Sequence, residues 1–449
     1  MGGILRRLKD PLVRRFLLRR RLGAIAEKRR VYELPVKPEE VAARQIHRFN
    51  AVWRRCYETI PFYAWWRREH GLPAGISELT ELDGFPVLTK SLIRKHQKLV
   101  LEGGTAKKYV STGGSTGEPA RFPTGPMDAL TTYVDLYVGR SWHGVQPLDV
   151  MLLFWGHSHL FGTGIRGVLA DYRRRAYDPV VNIRRLNAYD VSARTIARYY
   201  AVFRDSNPQV IAGYTSCIYK LARYIADNGP DRGDKARLKA VILTAETVTA
   251  SDIELLEEVF QVPVVVEYGM AETGAIAYSR ENPHKLRVFW DSVIARRGDG
   301  GILRVTTISE RVFPLINYRT DDVVEVDDEI QGSVLCMGSI VGRAQDVLRI
   351  GLIDGGELEV TGILLVHVLK AYSNVYSIQF EQVDRTRIGI SLVSDRELDL
   401  ERVKRYFLRE LARDHGRVAS SSVEMRQVEA VGRTLAGKES LVRRMETYS

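Results

Sequence analysis

Residues 111–119 read Ser-Thr-Gly-Gly-Ser-Thr-Gly-Glu-Pro, between a short strand predicted to end at Val110 and a helix predicted to begin near Pro126. Glycines allow backbone N–H groups to approach a ligand closely, and hydroxyls supply further donors beside them. Such a loop suits a polyphosphate, although no Gly-Lys-Ser/Thr sequence closes it as in a P-loop. A flexible surface loop is the alternative for this composition taken alone. The predicted phosphate-binding residues are Ser111, Thr112, Gly113, Gly114, Ser115, Thr116 and Gly117.

The chain after this loop alternates between amphipathic and apolar segments. Helices are predicted at 127–142, 192–204, 216–226 and 251–260, and short apolar strands at 150–155, 210–212, 240–243 and 262–267. This alternation indicates an α/β fold in which helices cover both faces of a parallel sheet. Ligands of such sheets bind beyond the carboxyl ends of the strands. The loops that begin at Gly213, Thr244 and Tyr268 are therefore expected at the ligand site.

Four short motifs lie downstream of the glycine-rich loop. They are Tyr268-Gly269-Met270-Ala271-Glu272, Tyr318-Arg319-Thr320-Asp321-Asp322, Gly342-Arg343-Ala344-Gln345-Asp346 and Arg433-Thr434-Leu435-Ala436-Gly437-Lys438. In order and spacing this set resembles the YGxTE, YRTGD, GRxxD and RTxxGK motifs of adenylate-forming enzymes, closest to the phenylacetate–CoA ligase and capsule-biosynthesis branch. The resemblance implies a large N-terminal adenylate-forming domain with parallel sheets and a β-subdomain, followed by a small mobile α/β cap.

The resemblance also implies a role for individual residues. Glu272 would hold magnesium, and Lys438 would neutralise charge at the α-phosphate during adenylation. The remaining nucleotide contacts are predicted for Glu246, Tyr268, Gly269, Asp322 and Arg343, with Gln345 at the hinge of the cap.

The residues of a predicted acyl pocket lie, in sequence, between the glycine-rich loop and the motif that begins at Tyr268. It would be lined by Trp155, His157, His159, Tyr214 and Ala245. The spacing of the two histidines, with no third ligand nearby, favours hydrogen-bonded loop residues over a metal site.

Four positions depart from the family pattern. Ala120 stands where the family often has a basic residue, directly after the proline of the glycine-rich loop. Asp321 stands where the motif usually has glycine, which predicts a different backbone there. Gln345 replaces the usual Asp or Lys at the hinge, and Gly432 replaces the proline that commonly opens the last motif. These departures leave adenylation expected and put the second half-reaction in doubt.

The chain of 449 residues has a net charge of +11, and the charge is concentrated at the N-terminus. Residues 1–30 hold eleven Lys/Arg against two acidic residues, a net of +9, with leucines at roughly helical spacing. This arm predicts a helix docked on the body or a contact with an anionic membrane surface. Aromatic stacking residues are nearly absent from it, so nucleic-acid binding is not expected. Three separated cysteines favour reduced thiols in the cytoplasm, with peripheral membrane contact as a further expectation.

Three domains are predicted: the basic arm at 1–30, the adenylate-forming domain at 31–342 and the cap at 343–449. Short strands at 302–307, 323–326 and 333–337 indicate the β-subdomain. The cap is predicted to contain a hairpin turn at Asp354-Gly355-Gly356, followed by a helix over 358–372.

The predicted function is an ATP- and Mg2+-dependent ligase that joins a carboxylic acid to AMP and passes the acyl group on. Its cofactors would be ATP, Mg2+ and CoA. An amine acceptor is the alternative to CoA, and a non-catalytic adenylate-binding scaffold is the alternative to an enzyme.

Overall fold

The computed structural model describes residues 18–102, 108–111, 120–156, 177–188, 193–228, 237–246, 248, 250–343, 347–361, 365, 375–394, 396–414, 417–432 and 442–444. The chain divides into two compact units. The larger comprises residues 1–248, 252–320 and 324–339, and the smaller comprises 249–251, 321–323 and 340–449. The domain limits at 30 and 342 stay predictions.

The N-terminal helix packs on the body of the larger unit. Helix α1 (Arg19–Glu33) contributes Ile25 to a hydrophobic cluster with Val134 and Val138. Lys28 forms ion pairs with Asp135 and with Asp291, and both acidic side chains are buried. Four helices follow: α2 (Pro38–Thr59), α3 (Pro61–His70), α4 (Lys90–Lys95) and α5 (Gln97–Glu102). Among the described helices, none combines the length and the apolar character that a membrane crossing requires.

A short hairpin brackets the glycine-rich loop. Strand β1 (Lys108–Ser111) pairs antiparallel with β2 (Arg121–Thr124), with Ser111 opposite Arg121. Helix α6 (Pro126–Ser141) begins two residues later. Its first turn is capped by Asp128, whose carboxylate accepts from the Gly125 amide at 2.9 Å.

Eleven of the described strands form one sheet. They are β3 (Met151–Trp155), β4 (Ile183–Asn187), β5 (Val210–Tyr214), β6 (Ala240–Thr244), β7 (Val264–Met270), β8 (Gly274–Ser279), β9 (Leu286–Val288), β10 (Val293–Arg297), β11 (Ile302–Thr307), β12 (Tyr318–Ile330) and β13 (Ser333–Arg343). Their order in the sheet is β10-β11-β12-β13-β9-β8-β7-β6-β5-β3-β4. The five strands from β7 to β4 are parallel, as predicted. The pairings β7–β8, β8–β9, β9–β13 and β10–β11 are antiparallel.

Both faces of the parallel strands are buried. On β5, Val210 and Ala212 face the cluster that contains α6, whereas Ile211 faces a second cluster on the opposite side. That second cluster is formed with α7 (Ala193–Ser206), α8 (Thr215–Asn228) and α9 (Ala250–Phe260). The continuous apolar character of these strands follows from burial on both faces.

The described part of the smaller unit has its own core, formed by strands and helix α10 (Leu400–Asp414). Strand β14 (Val347–Gly351) pairs antiparallel with β15 (Glu357–Thr361). A second sheet has the order β18-β17-β16-β19, with β16 (Val375–Gln382), β17 (Ile388–Ser394), β18 (Val423–Gln427) and β19 (Val442–Arg444). Helix α10 (Leu400–Asp414) contributes Val403, Phe407 and Leu411 to the core.

The helix predicted over 358–372 is wrong at its start, because Glu357–Thr361 is a strand. Its residues alternate between charged and apolar side chains, and Val360 is buried opposite Leu348. Pairing across the Asp354-Gly355-Gly356 turn therefore prevailed over the helical pattern that begins at Leu358.

Candidate functional site

The carboxyl ends of the parallel strands bring together loops that are distant in the sequence. Tyr214 at the end of β5 lies opposite Thr244 at the end of β6, and Thr244 lies opposite Glu267 on β7. The end of β3 adds Trp155, whose ring centroid is 5.2 Å from that of Tyr214, with the ring planes at 60°. Two residues of the predicted acyl pocket thus form an aromatic pair at this edge.

The turn after β6 is stabilised by the side chain of one of its own residues, Glu246. Ala245 has a φ of 68°, a left-handed conformation that L-residues seldom adopt. The carboxylate of Glu246 accepts from the backbone N of Ser216 at 2.8 Å and from its hydroxyl at 3.2 Å. Ser216 is in the first turn of α8, where a carboxylate satisfies free backbone donors and the helix dipole. This observed contact of Glu246 is structural, and its predicted contact with the nucleotide stays a prediction.

The end of β7 departs from regular pairing at the predicted nucleotide-binding residues. A bulge lies between Tyr268 and Gly269 in the register with β8. A Cβ atom on Gly269 would lie 2.4 Å from the carbonyl oxygen of Gly274, so only glycine fits the close approach of these two strands. The bulge interrupts the regular pairing at Gly269, three residues before Glu272.

Glu272 is positioned by a residue of the next motif. The hydroxyl of Tyr318 donates to Oε1 of Glu272 at 2.7 Å, across 46 residues of sequence. The Tyr318 ring is fully buried, and its centroid is 6.2 Å from that of Phe122 in an edge-to-face contact. Phe122 belongs to β2, directly after the glycine-rich loop. Tyr318 therefore connects its own motif with the motif of Glu272 and with the strand after the glycine-rich loop, all within one unit.

Sequence reasoning placed Tyr318 in a motif but assigned it no role. The signal that could have identified it is the combination of a tyrosine at a strand start with a carboxylate at the end of another predicted strand. The direction of its hydroxyl, however, depends on sheet order, which the sequence pattern does not contain.

Strand β12 carries the acidic pair of the second motif. Asp322 is buried, with 8% of its surface exposed. Asp321 has a φ of 68°, so it adopts the left-handed conformation that glycine adopts easily. Whether this backbone differs from that of the family's glycine stays a prediction. Aspartate tolerates this conformation better than most L-residues, since its short polar side chain can hydrogen-bond locally.

Several predicted residues lie outside the described part of the chain. They are Thr112, Gly113, Gly114, Ser115, Thr116, Gly117, His157, His159, Gln345 and Lys438. Ser111 is the last residue of β1 and Arg343 the last of β13. The roles assigned to all of these residues stay predictions.

The donor chemistry of the site is compatible with magnesium. Among the described residues there is no group of three or more His, Cys, Asp or Glu side chains that could hold a metal ion. Magnesium in nucleotide sites needs only one or two carboxylates, because phosphates and water complete its shell. Glu272 fits this requirement, since Tyr318 hydrogen-bonds only one of its carboxylate oxygens.

Comparison with known proteins supports the resemblance found in the sequence. Protein CapK of Staphylococcus aureus is 24% identical over 367 residues, which cover 79% of each chain. The phenylacetate-coenzyme A ligase of Aromatoleum evansii is 24% identical over 338 residues, covering 70% of this chain and 72% of the relative. The corresponding Escherichia coli ligase is 23% identical over 341 residues, covering 70% and 73%. The chain is a homologue of these proteins. No protein-family model matches it.

Solved structures agree with this relationship at the level of the fold. A 2-hydroxyisobutyryl-CoA ligase in the postadenylation state, in complex with R3-HIB-AMP, is 16% identical and has a TM-score of 0.68. The match covers 90% of this chain and 89% of the ligase. An open conformation of that ligase, in complex with 2-HIB-AMP and CoA, has a TM-score of 0.55 with 17% identity, covering 89% and 90%. The predicted α/β fold of the adenylate-forming acyl-CoA ligases is confirmed.

Proposed function

We propose that the protein is an ATP-dependent carboxylic acid ligase that forms an acyl-adenylate, releases pyrophosphate and transfers the acyl group to CoA. The observation that carries this proposal is the hydrogen bond from Tyr318 to Glu272, together with the contact of Tyr318 with Phe122. These contacts join the strand after the glycine-rich loop to two further motifs. Homology to phenylacetate-coenzyme A ligases supports the same reaction.

The first half-reaction is the attack of a carboxylate oxygen on the α-phosphorus of ATP, with pyrophosphate as the leaving group. Two anions must approach each other, so the site has to supply positive charge and fixed hydrogen-bond donors. The glycine-rich loop would donate backbone N–H groups to the phosphates. Lys438 would supply positive charge at the α-phosphate. Glu272 would hold Mg2+, which when bound neutralises phosphate charge.

The nucleoside would be held by residues of the strand ends. Tyr268 and Gly269 would flank the adenine, and Asp322 would accept hydrogen bonds from the ribose hydroxyls. Arg343 would contact the ribose or a phosphate. Glu246 would lie on the adenine side of the nucleotide. It belongs to the turn that it stabilises by its contact with Ser216.

The acid would bind beside the aromatic pair of Trp155 and Tyr214. Tyr214 is buried and Trp155 is partly exposed, so the pair offers an apolar wall with one accessible ring. Ala245, His157 and His159 would complete the lining. An apolar wall of this kind favours aryl or alkyl acids over highly charged ones.

We also propose that the protein acts in the cytoplasm and that its basic N-terminus can contact an anionic membrane surface. All three cysteines, Cys56, Cys217 and Cys336, are free and buried, which suits a reducing compartment. On α1 the inward face docks on the body, whereas Arg19 and Arg20 are exposed. Co-sedimentation with anionic vesicles, compared with neutral vesicles, tests the membrane contact.

A hydroxylamine screen tests the function across many candidate acids at once. Hydroxylamine captures an activated acyl group as a hydroxamate, so the purified protein is supplied with ATP, Mg2+ and a panel of acids. The proposal predicts hydroxamate with at least one acid, and then thioester with that acid and CoA. Hydroxamate without thioester would favour an amine acceptor. Hydroxamate with no acid in a broad panel would contradict the proposal.

A further inference from the structure

One arginine of the larger unit is buried without a matching set of acceptors. Arg311 lies between β11 and β12, and only 4% of its side chain is exposed. Its Nε is buried and has no hydrogen-bond partner among the described residues. A guanidinium has five N–H donors, and leaving even one of them unsatisfied in the interior is costly.

The nearest carboxylate does not supply the missing partner. Asp128 Oδ1 is 3.9 Å from Arg311 Nη1, at the limit of an ion pair. Both oxygens of Asp128 accept from the Val312 amide at 3.3 Å, and one also accepts from the Gly125 amide at 2.9 Å. Burial lowers the pKa of Arg311 below its usual range, and the negative charges of Asp128 and Asp135 only oppose this effect.

Another buried arginine of the same unit has several hydrogen-bond acceptors around its guanidinium. Arg296 is 8% exposed, and its guanidinium donates to the Asp83 carboxylate at 2.6 Å. It also donates to the carbonyl oxygen of Leu79 at 2.5 Å and to that of Gln331 at 3.5 Å. Burial of an arginine in this unit is therefore compatible with close pairing, which Arg311 lacks at its Nε.

The guanidinium of Arg311 lies against the turn that carries Glu272. Gly274 begins β8 two residues after Glu272, and its φ is 73°. A Cβ atom on Gly274 would be 2.5 Å from Arg311 Nη2 and 2.5 Å from the hydroxyl oxygen of Thr132. Thr132 is on α6, the helix that follows the hairpin of the glycine-rich loop. Arg311 is thus beside the turn that carries Glu272 and close to the helix that follows the hairpin of the glycine-rich loop.

We infer that Arg311 is a phosphate-binding residue, whose guanidinium donates to an oxyanion of ATP or of the pyrophosphate product. The inference rests on the proposed function and adds a residue that no motif contains. Arginine suits this role, since its planar fork can donate two parallel hydrogen bonds to one phosphate and stays charged at neutral pH. The guanidinium is buried beside the turn that carries Glu272, and nearby carboxylates compensate its charge only in part. It is therefore preorganised to bind an anion of the substrate.

Equilibrium binding and unfolding measurements test the inference together. Arg311→Met, Arg311→Lys and the control Arg296→Met are titrated calorimetrically with ATP in the presence of magnesium, and with inorganic pyrophosphate. Losing a hydrogen bond to a charged group should weaken binding by about 10- to 100-fold in Arg311→Met. Arg311→Lys should recover part of this affinity. Arg296→Met should bind like the wild type.

The unfolding data separate a binding role from a structural one. Arg311→Met should keep or raise the urea midpoint of the free protein, because it removes a buried charge that lacks partners. Arg296→Met should lower the midpoint, because it leaves Asp83 and two carbonyls without their donor. Wild-type ATP affinity in Arg311→Met, or a midpoint lowered as in Arg296→Met, would overturn the inference.

Two further outcomes distinguish this inference from the proposed function. Wild-type protein that binds neither ATP nor pyrophosphate would overturn both. Unchanged ATP binding in Arg311→Met, with an increased KM for the acid alone, would overturn the inference in favour of a carboxylate ligand and leave the proposed function standing.

Discussion

Replacing Tyr318 by phenylalanine tests whether the site depends on the contact between two motifs. The substitution removes one hydroxyl and leaves the buried ring with its packing. The lost hydrogen bond is short, at 2.7 Å, and its acceptor is the carboxylate of Glu272. Hydrogen bonds to charged groups contribute about 1.5–3 kcal/mol. If Glu272 acts only when held in place, kcat/KM should fall by roughly 10- to 100-fold, since each 1.4 kcal/mol is a factor of ten.

The fold should tolerate this substitution. Glu272 is partly exposed, so water can replace the lost donor and the free energy of unfolding should change by about 1 kcal/mol or less. Tyr63→Phe is the matched control, because Tyr63 is fully buried in the same hydrophobic cluster and donates to a backbone carbonyl, that of Pro314, rather than to Glu272. It should cost stability of similar size and keep wild-type kinetics.

A double-mutant cycle identifies the partner through which Tyr318 acts. Steady-state rates are measured for Tyr318→Phe, Glu272→Gln and the double variant. If the hydroxyl acts through Glu272, its removal should have little further effect once Glu272 is changed. Wild-type rates in Tyr318→Phe, or losses that simply multiply in the double variant, would refute the reasoning.

Three other predictions concern the N-terminal helix, a partly buried histidine and the C-terminal lysine. Lys28→Met should destabilise the protein by about 3–5 kcal/mol, because it leaves the buried carboxylate of Asp135 unpaired; adding Asp135→Asn should recover much of the loss in urea unfolding, and no recovery would contradict the pairing. Burial lowers the pKa of His143 from 6.5, while its Nε2 lies 2.8 Å from the carbonyl oxygen of Ser279. The unfolded chain therefore binds the proton first, and stability should fall as the pH decreases through 6.5; His143→Gln should remove this component of the pH profile, and an unchanged profile would exclude it. Lys438→Ala should lose acid-dependent pyrophosphate release by roughly 10²- to 10⁴-fold and keep transfer from a synthetic acyl-adenylate; equal losses in both assays would show that Lys438 serves both half-reactions.

The parallel half of the sheet could be predicted because burial on both faces leaves a strong signal in each strand. The strand predicted at 240–243 is found as Ala240–Thr244, and the helix predicted at 251–260 as Ala250–Phe260. The strand at 357–361 was missed because its partner is set by pairing across a turn rather than by its own periodicity.

Only those residues of the candidate site that belong to motifs could be predicted. The motif residues Tyr268 and Glu272 lie at the expected strand end, but the hydroxyl that holds Glu272 comes from a strand whose position depends on sheet order. Arg311 has no sequence signal, because a single arginine between two strands is ordinarily a solvated charge. Its importance appears only from its burial and its missing acceptors.

Exchange of labelled pyrophosphate into ATP tests the central claim most directly, because it reports reversible adenylate formation alone. We expect exchange only when at least one acid from a panel of aryl, fatty and amino acids is present. The exchange should also require Mg2+. Glu272→Gln should reduce this exchange by roughly 10²- to 10³-fold with the fold intact. Folded wild-type protein that exchanges with no acid, or Glu272→Gln protein that exchanges at the wild-type rate, would contradict the account.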